Sequence, residues 1–496
     1  MNGRPSCRTQ PLVSLNSNPR RRLHVIGSLI IALAETDSSR PQWILMGIRR
    51  VMTSINSNNL VLAICVTAVT LSALSQLDVQ VLAEDRPNVL LIMADDVGVE
   101  ALGCYGGESY QTPRLDALAE GGMKFTHCYS MPVCHPTRIT LMTGRYPFRT
   151  GNPRWGTFPK KEEQNNIGQV MKRTGYVTAV AGKWQICTMK NDLDHANRLG
   201  FDESCLFGWH EGPRYHSPYI YQNGKLLKDL EDSYGPDVYV DFLIDFMRRN
   251  KETPFFAYYP MALCHDVTDD LKDPVPFGPD GHYDSFKTMI EAMDVRVGQL
   301  IDSLDELGLR ENTLVIFTTD NGSPVQSIYS AEVNPNSRKK DTYTRVPVVS
   351  RQNGIDVAGG KGSLKNAGTR VPLIANWPGK VQSGQVANDL VDFSDFLPTV
   401  AEFGQADLPD GVTLDGQSFA ARLIDDQPFS RKWAFVEHRG KHWARDQRWK
   451  LYDNGNLFDI TRDPDEKNSV QQGHGNDEAN AARRHLRSAL KSLKVK

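Results

Sequence analysis

Neither sign of charge prevails in this sequence: 57 Lys and Arg stand against 59 Asp and Glu, a formal net charge of −2. A global field able to draw in DNA or another polyanion is therefore absent, and any anion binding must be local. Long apolar runs are lacking too. The stretch from Leu60 to Leu74, LVLAICVTAVTLSAL, is short for a membrane span. Cysteine is sparse, with eight in 496 residues, and Cys7 and Cys65 lie in an N-terminal segment expected to be removed. Cys104, Cys128, Cys134, Cys187, Cys205 and Cys264 remain. Setting Cys134 aside for the motif described below leaves an odd number without regular spacing, which does not imply a disulfide scaffold and leaves room for a bridge or two at most. No internal repeat or extended low-complexity tract is present, so a solenoid is excluded.

What is there is the composition of a packed globular protein, 40% hydrophobic and 23% charged. The length suits one large domain plus a smaller one, or three ordinary ones. Residues 1–83 read differently from the rest. Arg20, Arg21, Arg22, Arg40, Arg49 and Arg50 precede the apolar run, and Val81 to Ala83 offers small residues for cleavage before Glu84. This is the pattern of a signal peptide, so the expectation is an exported protein, periplasmic or secreted, with no stable membrane span once the signal is cleaved. Residues 1–45 have no globular pattern, and Met46 or Met52 would each begin a more ordinary export signal.

After the signal, short apolar runs end in chemistry. Asn88 to Ala94 (NVLLIMA) reads as a strand buried on both faces of a parallel sheet, and Asp95 and Asp96 follow it. Tyr176 to Ala181 leads into Gly182, Lys183, Trp184 and Gln185; Pro254 to Leu263 leads to His265; Thr313 to Thr319 leads into Asp320, Asn321 and Gly322. Ligands of open α/β sheets bind beyond the carboxyl ends of strands, where these residues fall. Each alone has a plain structural reading: an Asp pair as a turn or cap, a lysine as solvated, a histidine as packing. Helices are expected over Pro113 to Glu120, Ile167 to Arg173, Tyr239 to Arg248 and Ser285 to Leu307, the last from apolar residues at helical spacing that include Met289 and Met293. Residues 186–235, with Trp209, His210, Arg214, Tyr215 and His216, show no clear period. Nor do residues 323–358, with Arg338, Lys339, Lys340, Arg345 and Arg351. Both read as cleft walls or as surface loops. Gly359 to Gly368 (GGKGSLKNAG) lacks the spacing of a P-loop. Trp433 to Glu437 and Trp449 to Tyr452 are short strand candidates, and a basic helix runs from about Asn480 to Leu493.

The chain is organised around MPVCHPTRITLMTGRYP, Met131 to Pro147. Pro136 suits the first position of a helix and Gly144 the residue past its end, which puts Cys134 at a helix start, where anions collect. Cys134, Pro136 and Arg138 spell CxPxR, with Thr143, Gly144 and Arg145 following. This closely resembles the signature of the type I sulfatases. GKW at Gly182 to Trp184, the histidine after PFF, and Gly359 to Pro372 (GKG…GxRxP) match further segments of that family in the same order, across residues 86–466.

The resemblance implies an α/β fold in which a large mixed, mostly parallel sheet is sandwiched by helices, alkaline-phosphatase-like, with a smaller C-terminal α+β domain. The corresponding division is 1–83 for the extension and signal, 84–425 for the catalytic domain and 426–496 for the small domain. It also implies that Cys134 is oxidised by a formylglycine-generating maturation enzyme, and that its hydrate attacks sulfur. Arg138, with the metal, would help ionise the attacking hydroxyl, Lys183 would bind the sulfate, and His265 with Lys361 would serve the departing oxygen. Asp95, Asp96, Asp320 and Asn321 offer only oxygen, a set for a hard cation, calcium ahead of magnesium, with the modified Cys134 as a further ligand. Two residues depart from the pattern. Thr137 replaces a serine outside the CxPxR core. Gln185 replaces a histidine credited with taking a proton in the second half of the reaction, which glutamine cannot do. The expected activity is removal of sulfate from a sulfated carbohydrate or aryl sulfate, without nucleic-acid binding. A phosphodiesterase or phosphonate hydrolase on the same fold, and a catalytically silent glycan-binding protein, are the competing readings.

Overall fold

Every residue of NVLLIMA is buried because strand β1 (Asn88–Ala94) feeds two cores at once. Leu90, Ile92 and Ala94 pack into one cluster, while Val89, Leu91 and Met93 pack into the other, as the two-residue period of a strand requires. Burying each large apolar side chain of this kind contributes about 1.5–3 kcal/mol. The computed structural model describes residues 86–208, 211–266, 285–333, 343–473 and 476–495. The expected signal segment, Trp209, His210, Arg338, Lys339 and Lys340 lie outside them.

The strands after β1 are β2 (Met123–Tyr129), β3 (Val177–Lys183), β4 (Glu203–Phe207), β5 (Ile220–Gln222), β6 (Lys225–Leu226), β7 (Phe255–Pro260) and β8 (Thr313–Thr319). Two hairpins follow, β9 (Gln326–Val333) with β10 (Tyr343–Pro347) and β11 (Val349–Gln352) with β12 (Ile355–Ala358). Then come β13 (Arg370–Asn376) and β14 (Gln385–Asp392). One large sheet has the order β14-β2-β13-β8-β1-β7-β3-β4-β5-β6. Strands β8, β1, β7, β3 and β4 run parallel, whereas β13 is antiparallel to both its neighbours. The parallel block brings the carboxyl ends of β1, β3, β7 and β8 to one edge.

The principal helices are α1 (Pro113–Glu120), α2 (Cys134–Thr143), α3 (Ile167–Arg173), α4 (Gly235–Arg249), α5 (Ser285–Glu306), α6 (Phe396–Phe403) and α7 (Asp477–Leu493). Helices α1, α4 and α5 cover one face of the sheet, and α2, α3 and α6 cover the other. Strands β15 (Ala434–His438), β16 (Lys441–Arg445), β17 (Trp449–Tyr452) and β18 (Leu457–Asp459) form a separate antiparallel sheet. Its Ala444, Trp449, Leu451 and Leu457 pack on Ala479, Ala482 and Leu486 of α7. Phe435 and Trp443 pack on Tyr129 and Tyr146. The α/β architecture with a smaller antiparallel sheet is thus as expected.

Several local expectations need correction. Residues 186–235 are not one excursion, because β4, β5 and β6 extend the large sheet there. Residues 323–358 are not structureless, since they hold the two hairpins. Helix α2 begins at Cys134, so Pro136 is its third residue rather than its first. That is tolerated because amide hydrogens of the first turn have no partner within the helix.

Candidate active site

Backbone pairing at the sheet edge fixes the site before any side chain does. Asp95 N donates to Leu263 O at 2.8 Å, Cys264 N to Asp95 O at 2.6 Å, and Asp320 N to Ala94 O at 3.0 Å. These bonds tie the ends of β1, β7 and β8 together. Asp96 turns the chain with a φ of 62°, a left-handed conformation that Asp tolerates better than most residues. Carboxylate oxygens of Asp95, Asp96 and Asp320 then lie within 4.8 Å of one another, all buried.

Each carboxylate accepts a hydrogen bond from one cationic side chain. Lys183 Nζ donates to Asp95 Oδ2, Arg138 Nη2 to Asp320 Oδ2 at 2.8 Å, and Lys361 Nζ to Asp96 Oδ2 at 2.6 Å. Arg138 also donates to Lys183 O at 2.9 Å, which joins α2 to the end of β3. Asn321 Nδ2 donates to Asp96 Oδ1 at 2.8 Å and to Gly322 O at 2.9 Å, so its amide orientation is set. Asn321 Oδ1 and Asp95 Oδ1 are buried and have no hydrogen-bond partner among the described residues. Leaving such groups unsatisfied costs about 1–3 kcal/mol each. Two orphaned oxygens beside a carboxylate cluster, with no thiolate or imidazole among the clustered ligands, fit a hard divalent cation.

Electrostatics agree with that fit. Burial opposes ionisation of Asp95, but Lys183, His265 and Arg138 outweigh it and hold the carboxyl below its usual range. Burial raises Asp96 despite Lys361. Burial and the neighbouring Asp95 push Asp320 up to about 7. Three carboxyls this close resist full ionisation unless positive charge is added.

Cys134 is the first residue of α2, with Val133 as an extended N-cap that makes no side-chain cap bond. Gly144, at φ 64°, ends the helix with its N–H on Thr140 O. Burial raises the Cys134 thiol despite Lys183, so it is a poor thiolate nucleophile. Its Sγ faces Gln185 Oε1 at 3.7 Å. On the other side, His265 Nε2 is 3.9 Å from Asp96 Oδ2, and Nδ1 is 2.8 Å from Asp266 O. Burial, with Lys361 and Lys183, drives this imidazole well below its ordinary range.

Asp95, Asp96, Arg138, Lys183, His265, Asp320, Asn321 and Lys361 are thus linked into one contact network, and Cys134, in contact with Gln185, lies within electrostatic reach of Lys183, Asp320 and Asp95. The structure adds residues whose roles were not legible. Arg214 Nη1 lies 3.3 Å from His265 Nδ1, and its guanidinium stacks on Phe207. Tyr215 OH donates to Ala262 O at 2.8 Å and also lies 2.5 Å from His265 O. Arg345 Nη1 pairs with Asp266 Oδ2 at 2.6 Å, tying β10 to the turn after β7. Behind the cluster, Ser323 Oγ meets the buried Glu100 Oε1 at 2.5 Å and accepts from Gly98 N at 3.0 Å. The clue to Asp266 was its adjacency to His265; Arg214 and Arg345 lay in stretches without period.

A family model described as Sulfatase matches residues 87–405, and one described as N-sulphoglucosamine sulphohydrolase, C-terminal, matches residues 361–496. Steryl-sulfatase of Mus musculus is 30% identical over 450 residues, covering 73% of this chain and 69% of that protein. Arylsulfatase A of Homo sapiens is 30% identical over 424 residues, covering 76% and 77%. Among solved structures, a protein in complex with its substrate D-glucosamine-2-N,6-O-disulfate aligns with a TM-score of 0.60 at 20% identity, over 82% of this chain and 97% of that one. At that identity the likeness is one of fold.

Proposed function

This chain belongs to the sulfatase family, and we propose that it removes sulfate from a sulfated carbohydrate, with formylglycine made from Cys134 as its nucleophile. Sulfuric ester hydrolysis follows from the family, on an alkaline-phosphatase-like fold. The observation that carries the finer reading is the convergence of Cys134, three carboxylates and the cations Arg138, Lys183 and Lys361 on one sheet edge. A buried thiol that burial raises above its ordinary range, and whose contact is the amide of Gln185, is better read as a precursor than as a nucleophile. The hydrated formyl group supplies the attacking hydroxyl.

Asp95, Asp96, Asp320 and Asn321 would hold calcium, with magnesium second. Such a cation, when bound, supplies Lewis-acid polarisation of sulfate oxygens. Arg138 is locked between Asp320 and Lys183 O, so it presents fixed positive charge at no reorganisation cost. Lys183 is fully buried whereas Lys361 is 23% exposed. Lys183 therefore serves the inner side of the anion and Lys361 its entry side. His265 commits an Nδ1 proton to Asp266 O, so the neutral ring turns a bare Nε2 toward the cluster, and that nitrogen would have to take up a proton before passing one to the departing alcohol oxygen. Gln185 can hydrogen-bond to the group at position 134 but cannot take its proton.

Residues 84–425 are read as the catalytic domain and 426–496 as a small accessory one. The N-terminal arginines and apolar run support export, and no helix among the described residues is long and apolar enough to cross a membrane. The CxPxR core makes a formylglycine-generating enzyme the maturation partner.

The test is coexpression with such an enzyme, peptide mass spectrometry at Cys134, and sulfate release from a panel of defined sulfated saccharides. Aryl sulfate, phosphate diesters and phosphonates are assayed beside them. The expected result is formylglycine at position 134 with fastest turnover on a sulfated saccharide. An intact thiol in the active preparation would refute the nucleophile, and faster phosphodiester cleavage would refute the substrate class.

A further inference from the structure

After Glu478 the sequence carries six Lys and Arg and no Asp or Glu, in a chain that is nearly neutral overall. Helix α7 sorts these charges by face. Ala479, Ala482, Leu486, Ala489 and Leu493 are buried, and so is Arg483, which donates to Gly455 O and to Val470 O. Arg484, Arg487, Lys491 and the C-capping Lys494 are all exposed. Their spacing of three, four and three residues keeps them on one side, along about 15 Å of helix.

None of these four makes an ion pair among the described residues, though Arg487 Nη2 donates to Gln472 Oε1 at 3.2 Å. Other surface cations nearby are partnered: Arg448 with Asp459 and Glu478, and Lys467 with Asp465. The nearest acid on the same face is Asp477, two turns before Arg484. The helix dipole favours Lys491 and Lys494 at the C-terminal end. It does not account for Arg484 and Arg487, and like charges one turn apart weaken a helix. The stripe is therefore not explained by folding.

We propose that this stripe is a docking surface for a sulfated polysaccharide, holding the polymer on the enzyme in addition to the sulfate-binding centre. The proposal rests on the sulfatase reading above, because a substrate carrying repeated sulfates is the polyanion the protein is built to meet. Charge complementarity with a regular row of cations fits such a chain. Of the exposed residues beside the cations, Ala481, His485, Ser488 and Ser492, only His485 carries a ring for stacking on a nucleic-acid base, and none is a large apolar group to enter a membrane.

The test compares the native protein with the fourfold variant Arg484→Gln, Arg487→Gln, Lys491→Gln, Lys494→Gln, and with the charge-keeping pair Arg484→Lys, Arg487→Lys. Heparin serves as the sulfated polymer; transfer RNA and phosphatidylserine vesicles serve as competing polyanions. Heparin affinity should fall about tenfold in the fourfold variant at low salt, with the gap closing as salt screens the charges. The Lys pair should retain it. Turnover of 4-nitrophenyl sulfate should be unchanged, which shows that the fold and the centre are intact. Equal heparin affinity in the native and fourfold proteins would overturn the proposal, as would tighter stripe-dependent binding of RNA or vesicles than of heparin. If heparin binding depends on the stripe while no substrate yields sulfate, the docking surface stands and the catalytic reading fails.

Discussion

Gln185 Oε1 lies 3.7 Å from Cys134 Sγ, and both residues are buried. Gln185 reaches that position with a φ of 50°, immediately after β3 delivers Lys183 to Asp95. An amide thus stands where proton removal from the group at position 134 would need a base.

Turnover should accordingly be limited after the first sulfate transfer rather than before it. Rapid-quench measurements on matured protein should show a burst of desulfated product followed by a slower steady state. Gln185→His should raise the steady-state rate several-fold and shrink the burst relative to it. A steady-state rate that does not move would mean that another group or water already removes the proton.

How much of this was legible in advance varied with burial. Strands β1 and β8 lie at the centre of the sheet, and their unbroken apolar runs were read to the residue. Strands β2 (MKFTHCY) and β14 (QVANDLVD) mix polar residues into a partly exposed pattern, and β13 carries a proline. None of the three was anticipated, although they complete one side of the sheet. Asp95, Lys183 and Asp320 could be placed at the sheet edge because strand ends are visible in sequence, but Arg214 and Arg345 were not assigned roles. Their positions depend on how β4 to β6 and the β9–β10 hairpin fold back over His265, and no local period encodes that.

His265 should matter in proportion to how badly the leaving group needs a proton. For a sugar sulfate, whose alkoxide is a poor leaving group, His265→Ala should lower kcat by about 10²–10³-fold. With 4-nitrophenyl sulfate, which departs as a stable phenolate, the loss should be under about tenfold. Equal losses on both substrates would assign His265 to sulfate binding instead.

Removing the cation should cost stability as well as activity, since the orphaned Asp95 Oδ1 and Asn321 Oδ1 would then lack a partner. Chelation should lower the melting temperature, and calcium at a hundredfold excess over its Kd should restore about 2.7 kcal/mol. In Asp96→Asn the calcium-dependent rise in melting temperature should largely vanish. A native melting temperature that ignores both chelator and calcium would rule out a resident cation.

Stability should also carry a pH signature from a carboxyl outside the carboxylate cluster. Glu437 on β15 accepts from Phe148 N at 2.5 Å. Burial, with Asp415 adding to it, pushes its carboxyl from 4.5 up to about 7. Because the folded state binds this proton more tightly than the unfolded one, the contribution is complete below pH 4.5 and is lost as pH rises through 7. A loss on the order of 2 kcal/mol is expected across that window. Glu437→Gln keeps an oxygen for Phe148 N but cannot titrate. Denaturant unfolding from pH 5 to 8 should therefore show native stability declining relative to this variant. Parallel curves would mean that Glu437 is already ionised at pH 5 in the folded protein.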